Sequence, residues 1–236
     1  LLYPNNFYGK NVNNIIDSIA TKNQLFVINR ASYNEDLTNA REAIKELGRY
    51  EYRKKELERQ KKILENKQDD HSIKTLRKIK KFETTGSVDF THLIIPDYSI
   101  RLLEIAPLLP FYDVDPNQVQ FVGTGVWDDE VFFDEPSLQG AIFPGIEKTK
   151  RKKFFEDYEY IFKEKAARIS TIPYDLVGLL SYIVEKKLSI NNLNIFFNNQ
   201  NVKFDGMDGT FYFKDNSIFR ELDILQIYQG KAKKLN

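Results

Sequence analysis

Five carboxylates fall within eight residues: Asp128, Asp129, Glu130, Asp134 and Glu135. Paired carboxylates do acid–base work or hold a divalent cation. The oxygen-ligand spacing of a calcium loop is missing, however, and Phe132-Phe133 interrupts the run. These acids therefore read as solvated loop residues or helix N-terminal caps. Two histidines, His71 and His92, and no cysteine are too few good ligands for zinc, and they leave no disulfide and no thiolate nucleophile. His92 sits in an apolar run and reads as a packed core histidine, whereas His71 reads as a solvated turn residue. Gly123-Thr124-Gly125 follows a strand-like run, but a dinucleotide fingerprint needs a glycine where Asp128 stands. There is no phosphate-loop sequence and no serine nucleophile elbow. The expectation is a protein that is not an enzyme and has no cofactor and no metal.

Polar and aromatic residues do gather where strands end. Asp97 and Tyr98 follow one apolar run, Thr124 and Trp127 follow another, and Tyr8 lies at the start of the first helix. In an open α/β sheet, ligands bind in the crevice outside the carboxyl ends of the strands. Trp127, the only tryptophan, is expected at that rim.

The elements that would position these residues alternate. A short strand at 1–4 precedes a helical period at Val12, Ile15, Ile16 and Ile19. Leu25-Phe26-Val27-Ile28 has strand length, and Ala40, Ala43, Ile44 and Leu47 restart the helical period. Val88 to Ile95 reads as a buried strand stopped by Pro96, Ile100 to Leu109 as a helix, Val119 to Val122 as a strand, and Gly140 to Phe143 as another. Strands apolar on both faces and alternating with helices predict a mostly parallel sheet covered on two sides, an α/β fold. Helices follow, carrying Phe154, Phe155, Tyr158, Ile161 and Phe162, then Leu176, Val177, Leu180, Ile183 and Val184. Thr210–Phe213 and Glu221–Tyr228 close the chain as strands, joined across Lys214-Asp215-Asn216-Ser217, which has hairpin composition.

From Lys45 to Glu83 nearly every other residue is charged, with heptad steps from Tyr50 to Leu57 to Leu64. This predicts a protruding helical hairpin with a thin apolar seam, either a solvated face or a partner-docking arm. Its interleaved glutamates and its lack of exposed aromatics argue against nucleic acid. So does the whole chain, where 35 Lys+Arg stand against 34 Asp+Glu in 236 residues. The 42% hydrophobic content is enough for a core.

In order along the chain, several stretches resemble the second lobe of type I periplasmic binding proteins, the branched-chain amino acid receptors of ABC transport systems. They are Pro4-Asn5-Asn6-Phe7-Tyr8-Gly9, Tyr33, Asp89-Phe90, Phe121 to Asp129, Leu138-Gln139-Gly140-Ala141, Phe154 with Tyr158, Pro173-Tyr174-Asp175 and Gly206-Met207-Asp208-Gly209. The charged hairpin and Gly123-Thr124-Gly125-Val126-Trp127-Asp128-Asp129 further resemble bacterial penicillin-binding-protein activators, periplasmic outer-membrane lipoproteins that regulate peptidoglycan synthesis.

The resemblance implies a second lobe at 1–145 with the hairpin inserted at about 45–83. It implies helices at 146–217 that would pack on a first lobe, and a strand at 218–236 returning to the second. Leu1 in place of Met fits a fragment, with any signal peptide or lipid anchor outside it. The implied function is a non-enzymatic solute receptor, closing on a small polar ligand such as an amino acid or peptide and partnered by an ABC permease. The alternative is a regulator that contacts a penicillin-binding protein. The ligand-binding residues expected are Tyr8, Asp97 and Tyr98 from the resemblance, Thr124 and Trp127 from their place at the strand ends, and Asp128. In the receptors an acidic side chain after the Gly123 strand holds the ligand's ammonium group. Gly125 stands there, leaving Asp97 or Asp128 as the substitute.

Overall fold

The computed structural model describes residues 1–67, 69–146, 148–199, 202–214 and 217–235. They form two compact units. The first comprises Leu1–Ile142 with Ile227–Lys231, and the second Phe143–Gln226 with Ala232–Asn236.

In the first unit, β1 (Leu2–Pro4) leads into α1 (Phe7–Asn23) and then β2 (Ala31–Tyr33). The two strands pair in parallel, Leu2 opposite Ala31 and Pro4 opposite Tyr33. The entry to α1 is written into Asn6-Phe7-Tyr8-Gly9. The Asn6 side chain caps the helix by accepting from the Gly9 N–H at 2.9 Å. A Cβ on Gly9 would stand 2.1 Å from the Pro4 carbonyl, so only glycine lets the first turn pack on the strand it has just left. This fixes Tyr8 on that turn.

Leu25–Ile28 is not the strand its composition predicts. Helix α1 has 17 residues, roughly 25 Å, while β1 has three, roughly 10 Å. The apolar run is used in crossing back from the overlong helix, and the sheet takes Ala31–Tyr33 instead.

Helices α2 (Ala40–Leu47), α3 (Tyr50–Lys67) and α4 (Asp70–Ile79) follow. The amphipathic α2 buries Ala40, Ala43, Ile44 and Leu47. Helices α3 and α4 pack on each other, and Asp69 caps α4 by accepting from the Ser72 N–H at 2.9 Å. Gln68, within the break expected between them, lies outside the described residues. The base of the pair is clasped by Arg53, a buried cation. It donates to the carbonyls of Gly48 (2.6 Å), Tyr112 (2.9 Å), Asp113 (3.1 Å) and Gly86 (3.4 Å) and to Thr84 Oγ1 (3.1 Å). Tyr52 and Phe82 are exposed, contrary to the expectation of an arm without surface aromatics.

Strand β3 (His92–Ile94) is followed by α5 (Ser99–Ile105), α6 (Leu108–Phe111) and β4 (Gln120–Val122). The single helix expected at 100–109 is divided ahead of Pro107, whose ring cannot continue the hydrogen-bond ladder. His92 is exposed, with Nδ1 2.9 Å from Thr91 Oγ1, and so is not a core histidine: the strand buries Leu93 and turns His92 outward. Strands β3, β4 and β5 (Ile142–Gly145) are parallel, and Ile227 of β9 (Asp223–Tyr228) bonds beside them to Gly140 and Ala141. Leu93, Ile95, Leu102, Ile105, Leu109, Phe121 and Leu138 form the core.

The second unit holds α7 (Lys148–Phe162), α8 (Thr171–Glu185), α9 (Ile190–Asn198) and an antiparallel sheet of β6 (Lys203–Gly206), β7 (Gly209–Lys214) and β8 (Ser217–Arg220). The closing hairpin is thus made with Ser217–Arg220 rather than Glu221–Tyr228. Asp215 and Asn216 of the expected turn lie outside the described residues. Strand β10 (Lys231–Lys234) ends the chain, its Lys234 paired with Asp223 at 2.7 Å. Asp175 of α8 ties the β6–β7 turn by accepting from the N–H groups of Met207 (2.7 Å) and Asp208 (3.1 Å). Phe196, Phe204, Phe211 and Phe213 pack ring against ring above the sheet.

Candidate functional site

The carboxyl ends of β1, β2, β3 and β4 deliver their side chains to one place. Strand β1 runs into the α1 turn that carries Tyr8, β2 ends on Tyr33, β3 continues to Asp97 and Tyr98, and β4 leads through Gly123 to Thr124. Tyr8 Oη and Thr124 Oγ1 are 2.6 Å apart. The Tyr98 ring meets the Tyr8 ring edge-on at 5.9 Å. Tyr8 and Thr124 are half-buried, and Tyr98 is exposed. Three hydroxyls, two of them on phenol rings, are therefore offered at this edge.

Behind them lies an ion-pair network. Asp97 is wholly buried, and both its oxygens are occupied. Oδ1 accepts from the Tyr98 N–H at 2.8 Å and from Arg101 Nη2 at 3.0 Å. Oδ2 accepts from Tyr33 Oη at 2.6 Å and from Arg101 Nε at 3.2 Å. Burial, reinforced by the Asp97 charge, pushes the Tyr33 phenol far above its ordinary pKa, and the hydrogen bond to Asp97 raises that of Arg101. Burial likewise raises Tyr8. Arg101 also stands 5.4 Å from the Tyr98 ring centre and 3.6 Å from Glu35, and Glu35 accepts from the Asn6 cap at 2.9 Å.

Trp127 is at 0% exposure and so is not a rim residue. Its ring lies against Gly123, and Nε1 donates to the Asp97 carbonyl at 3.0 Å. It sits within a 3-10 turn at Gly125–Trp127, and Asp128 follows, buried as well. The structure thus joins Tyr8, Tyr98 and Thr124 through their side chains and stacks Asp97 and Trp127 beneath them. Asp129 and Glu135 cap the next two 3-10 turns, accepting from Val131 and Ser137 N–H. Among the described residues, no group of acids or histidines could hold a metal.

Sequence reasoning missed Tyr33, Arg101 and Glu35 as members of this network. The i,i+4 step from Asp97 to Arg101 at a helix start was a usable signal. Tyr33 follows from the same strand-end rule once the strand is placed at 31–33.

The fold is that of type I periplasmic binding proteins. A branched-chain amino acid ABC transporter periplasmic ligand-binding protein from Burkholderia xenovorans superposes with a TM-score of 0.60 at 11% identity, covering 100% of this chain and 55% of that one. The branched-chain amino acid transporter substrate-binding protein LivJ from Streptococcus pneumoniae, in complex with isoleucine, gives 0.53 at 16% identity, over 98% of this chain and 57% of that one. Haemophilus influenzae LpoA is a remoter likeness, at 0.41 and 13% identity, over 100% and 47%. The chain thus spans about half the length of these proteins. No protein-family model and no curated protein matches it.

Proposed function

We propose that this chain is part of a non-enzymatic, periplasmic solute receptor, and that Tyr8, Tyr98 and Thr124 contact a small polar ligand. One observation carries this reading. Three hydroxyl-bearing side chains from separate elements meet at the carboxyl ends of parallel strands, where open α/β sheets bind ligands. Asp97, Arg101, Tyr33 and Trp127 hold that edge in place. Asp128, which follows Trp127, is buried. The structural neighbours are binding proteins and receptors, which agrees with this role and with an ABC permease as the receiving partner.

Calorimetric titration of the full-length protein with amino acids, short peptides and sugars tests the proposal. Saturable binding that weakens about tenfold in Tyr8→Phe and in Thr124→Val is expected, from the loss of one hydrogen bond in each. Binding that both substitutions leave unchanged excludes this edge as the site.

A second reading, a regulator that contacts a penicillin-binding protein, is favoured by one specific feature. Gly125 is bare and the Asp97 carboxylate is occupied internally, so neither offers a partner to an amino acid's ammonium group. A flat titration together with capture of a penicillin-binding protein would select it.

A further inference from the structure

Charge in this protein is segregated. Between Tyr50 and Phe82 there are twelve Lys and Arg against six Asp and Glu, although the whole chain stands at only +1. The imbalance is concentrated further along α4 and just beyond it. Residues 73–82 contain Lys74, Arg77, Lys78, Lys80 and Lys81 and no acid. All five side chains are exposed, and none has an acidic partner among the described residues. Four other basic side chains do pair with an acid: Arg30 with Asp17, Arg59 with Glu56, Arg101 with Asp97 and Lys203 with Glu221. Cations at a helix C-terminus complement the helix dipole, which accounts for Arg77, Lys78 and the C-cap Lys80 but not for Lys74 and Lys81.

The same stretch is amphipathic. Ile73, Leu76, Ile79 and Phe82 recur every three residues; Leu76 and Ile79 are half-buried, while Ile73 is 39% and Phe82 50% exposed. Four of the five cations are lysines. Lysine is a flexible point charge suited to a diffuse field of anions, whereas a defined carboxylate partner favours the planar fork of arginine. On this hairpin Arg53 is buried in its clasp and Arg59 is engaged by Glu56. A basic amphipathic helix with exposed large apolar side chains matches the surface of an anionic bilayer. No helix among the described residues is long and apolar enough to cross a membrane, so the contact is interfacial.

We propose that residues 73–82 form a docking surface for anionic lipid headgroups, with Lys74, Arg77, Lys78, Lys80 and Lys81 facing the phosphates and Phe82 entering the interface. This rests on none of the residues of the proposed solute site.

Sedimentation of the full-length protein with vesicles of phosphatidylcholine mixed with phosphatidylglycerol tests it. Binding is expected to weaken as salt rises, to be absent with phosphatidylcholine alone, and to fall on the order of a hundredfold in the triple variant Lys74→Glu, Lys78→Glu, Lys81→Glu. The three sites are exposed, and an unchanged circular dichroism spectrum verifies the fold. Phe82→Ser keeps the charge and is expected to weaken binding several-fold without altering its salt dependence. Absence of vesicle binding, equal binding to neutral vesicles, or an unaffected triple variant would overturn the proposal. Tighter binding to polyglutamate or to an RNA oligonucleotide than to the vesicles would overturn lipid as the occupant. An unaffected Phe82→Ser variant would remove the apolar part.

Discussion

Gly123 lies flat against the indole of Trp127: a Cβ built on Gly123 would stand 2.0 Å from Trp127 Cδ2. The contact places the end of β4 directly over the only tryptophan, which in turn holds the Asp97 carbonyl. Gly123→Ala must displace the ring or the strand end, and overpacking of this kind costs about 1–3 kcal/mol. The expected outcome is a lower denaturant midpoint with a red-shifted Trp127 emission, both read in one urea titration. A variant with wild-type emission and midpoint would show that the ring has room to move.

Arg101 is expected to matter more for stability than a surface arginine does. In Arg101→Met the wholly buried Asp97 keeps only Tyr33 Oη and the Tyr98 N–H as donors. Stranding a buried charge costs about 3 kcal/mol, and chemical denaturation measures it. Asp97→Asn in the same background should recover part of the loss, because it removes the stranded charge.

Arg53 makes a corresponding prediction for the α3–α4 pair. Arg53→Met leaves four carbonyls and the Thr84 hydroxyl without this donor, with an expected cost of about 3 kcal/mol. Hydrogen exchange should show the loss first in the 84–86 and 112–113 backbone and along α3. Lysine at the same position cannot reach five acceptors from one ammonium and should recover only a fraction.

Alkaline pH should unfold the protein through a few of its 13 tyrosines. Tyr33 and Tyr8 are raised chiefly by burial, and Tyr50 is pushed up to about 12 by its hydrogen bond to Glu83. The folded chain therefore keeps protons that the unfolded chain releases near pH 10. Stability is fully present below that pH and falls as pH rises above it. Absorbance at alkaline pH should show a subset of phenols that ionise late, together with loss of structure. Tyr33→Phe should remove part of this dependence.

The sequence was most readable where local chemistry and fold agree. Asn6 and Gly9 announce a helix start packed on its own strand, and the strand-end rule leads directly to Tyr8, Asp97, Tyr98 and Thr124. It was least readable where length decides. Leu25-Phe26-Val27-Ile28 has better strand composition than Ala31-Ser32-Tyr33, yet the span of α1 determines which of them reaches β1. Trp127 shows a related limit. Its position in the chain is a loop after a strand, and only the glycine two residues before that 3-10 turn tells that the ring folds back under the sheet. Roles that depend on partners distant in sequence, such as Tyr33 with Asp97, became visible only in three dimensions.

The long crossing from α1 to β2 has a further consequence, for behaviour in solution. Leu25, Phe26 and Ile28 remain at the surface, Phe26 at 91% exposure, in a stretch that belongs to no helix or strand. A short apolar run exposed in this way is a place where chains can associate. The polar neighbours Asn23, Gln24, Asn29 and Arg30 act as gatekeepers that bound this apolar run. The excess length of one helix thus leaves an exposed apolar run where chains can meet at high concentration, ahead of the charged hairpin in the sequence.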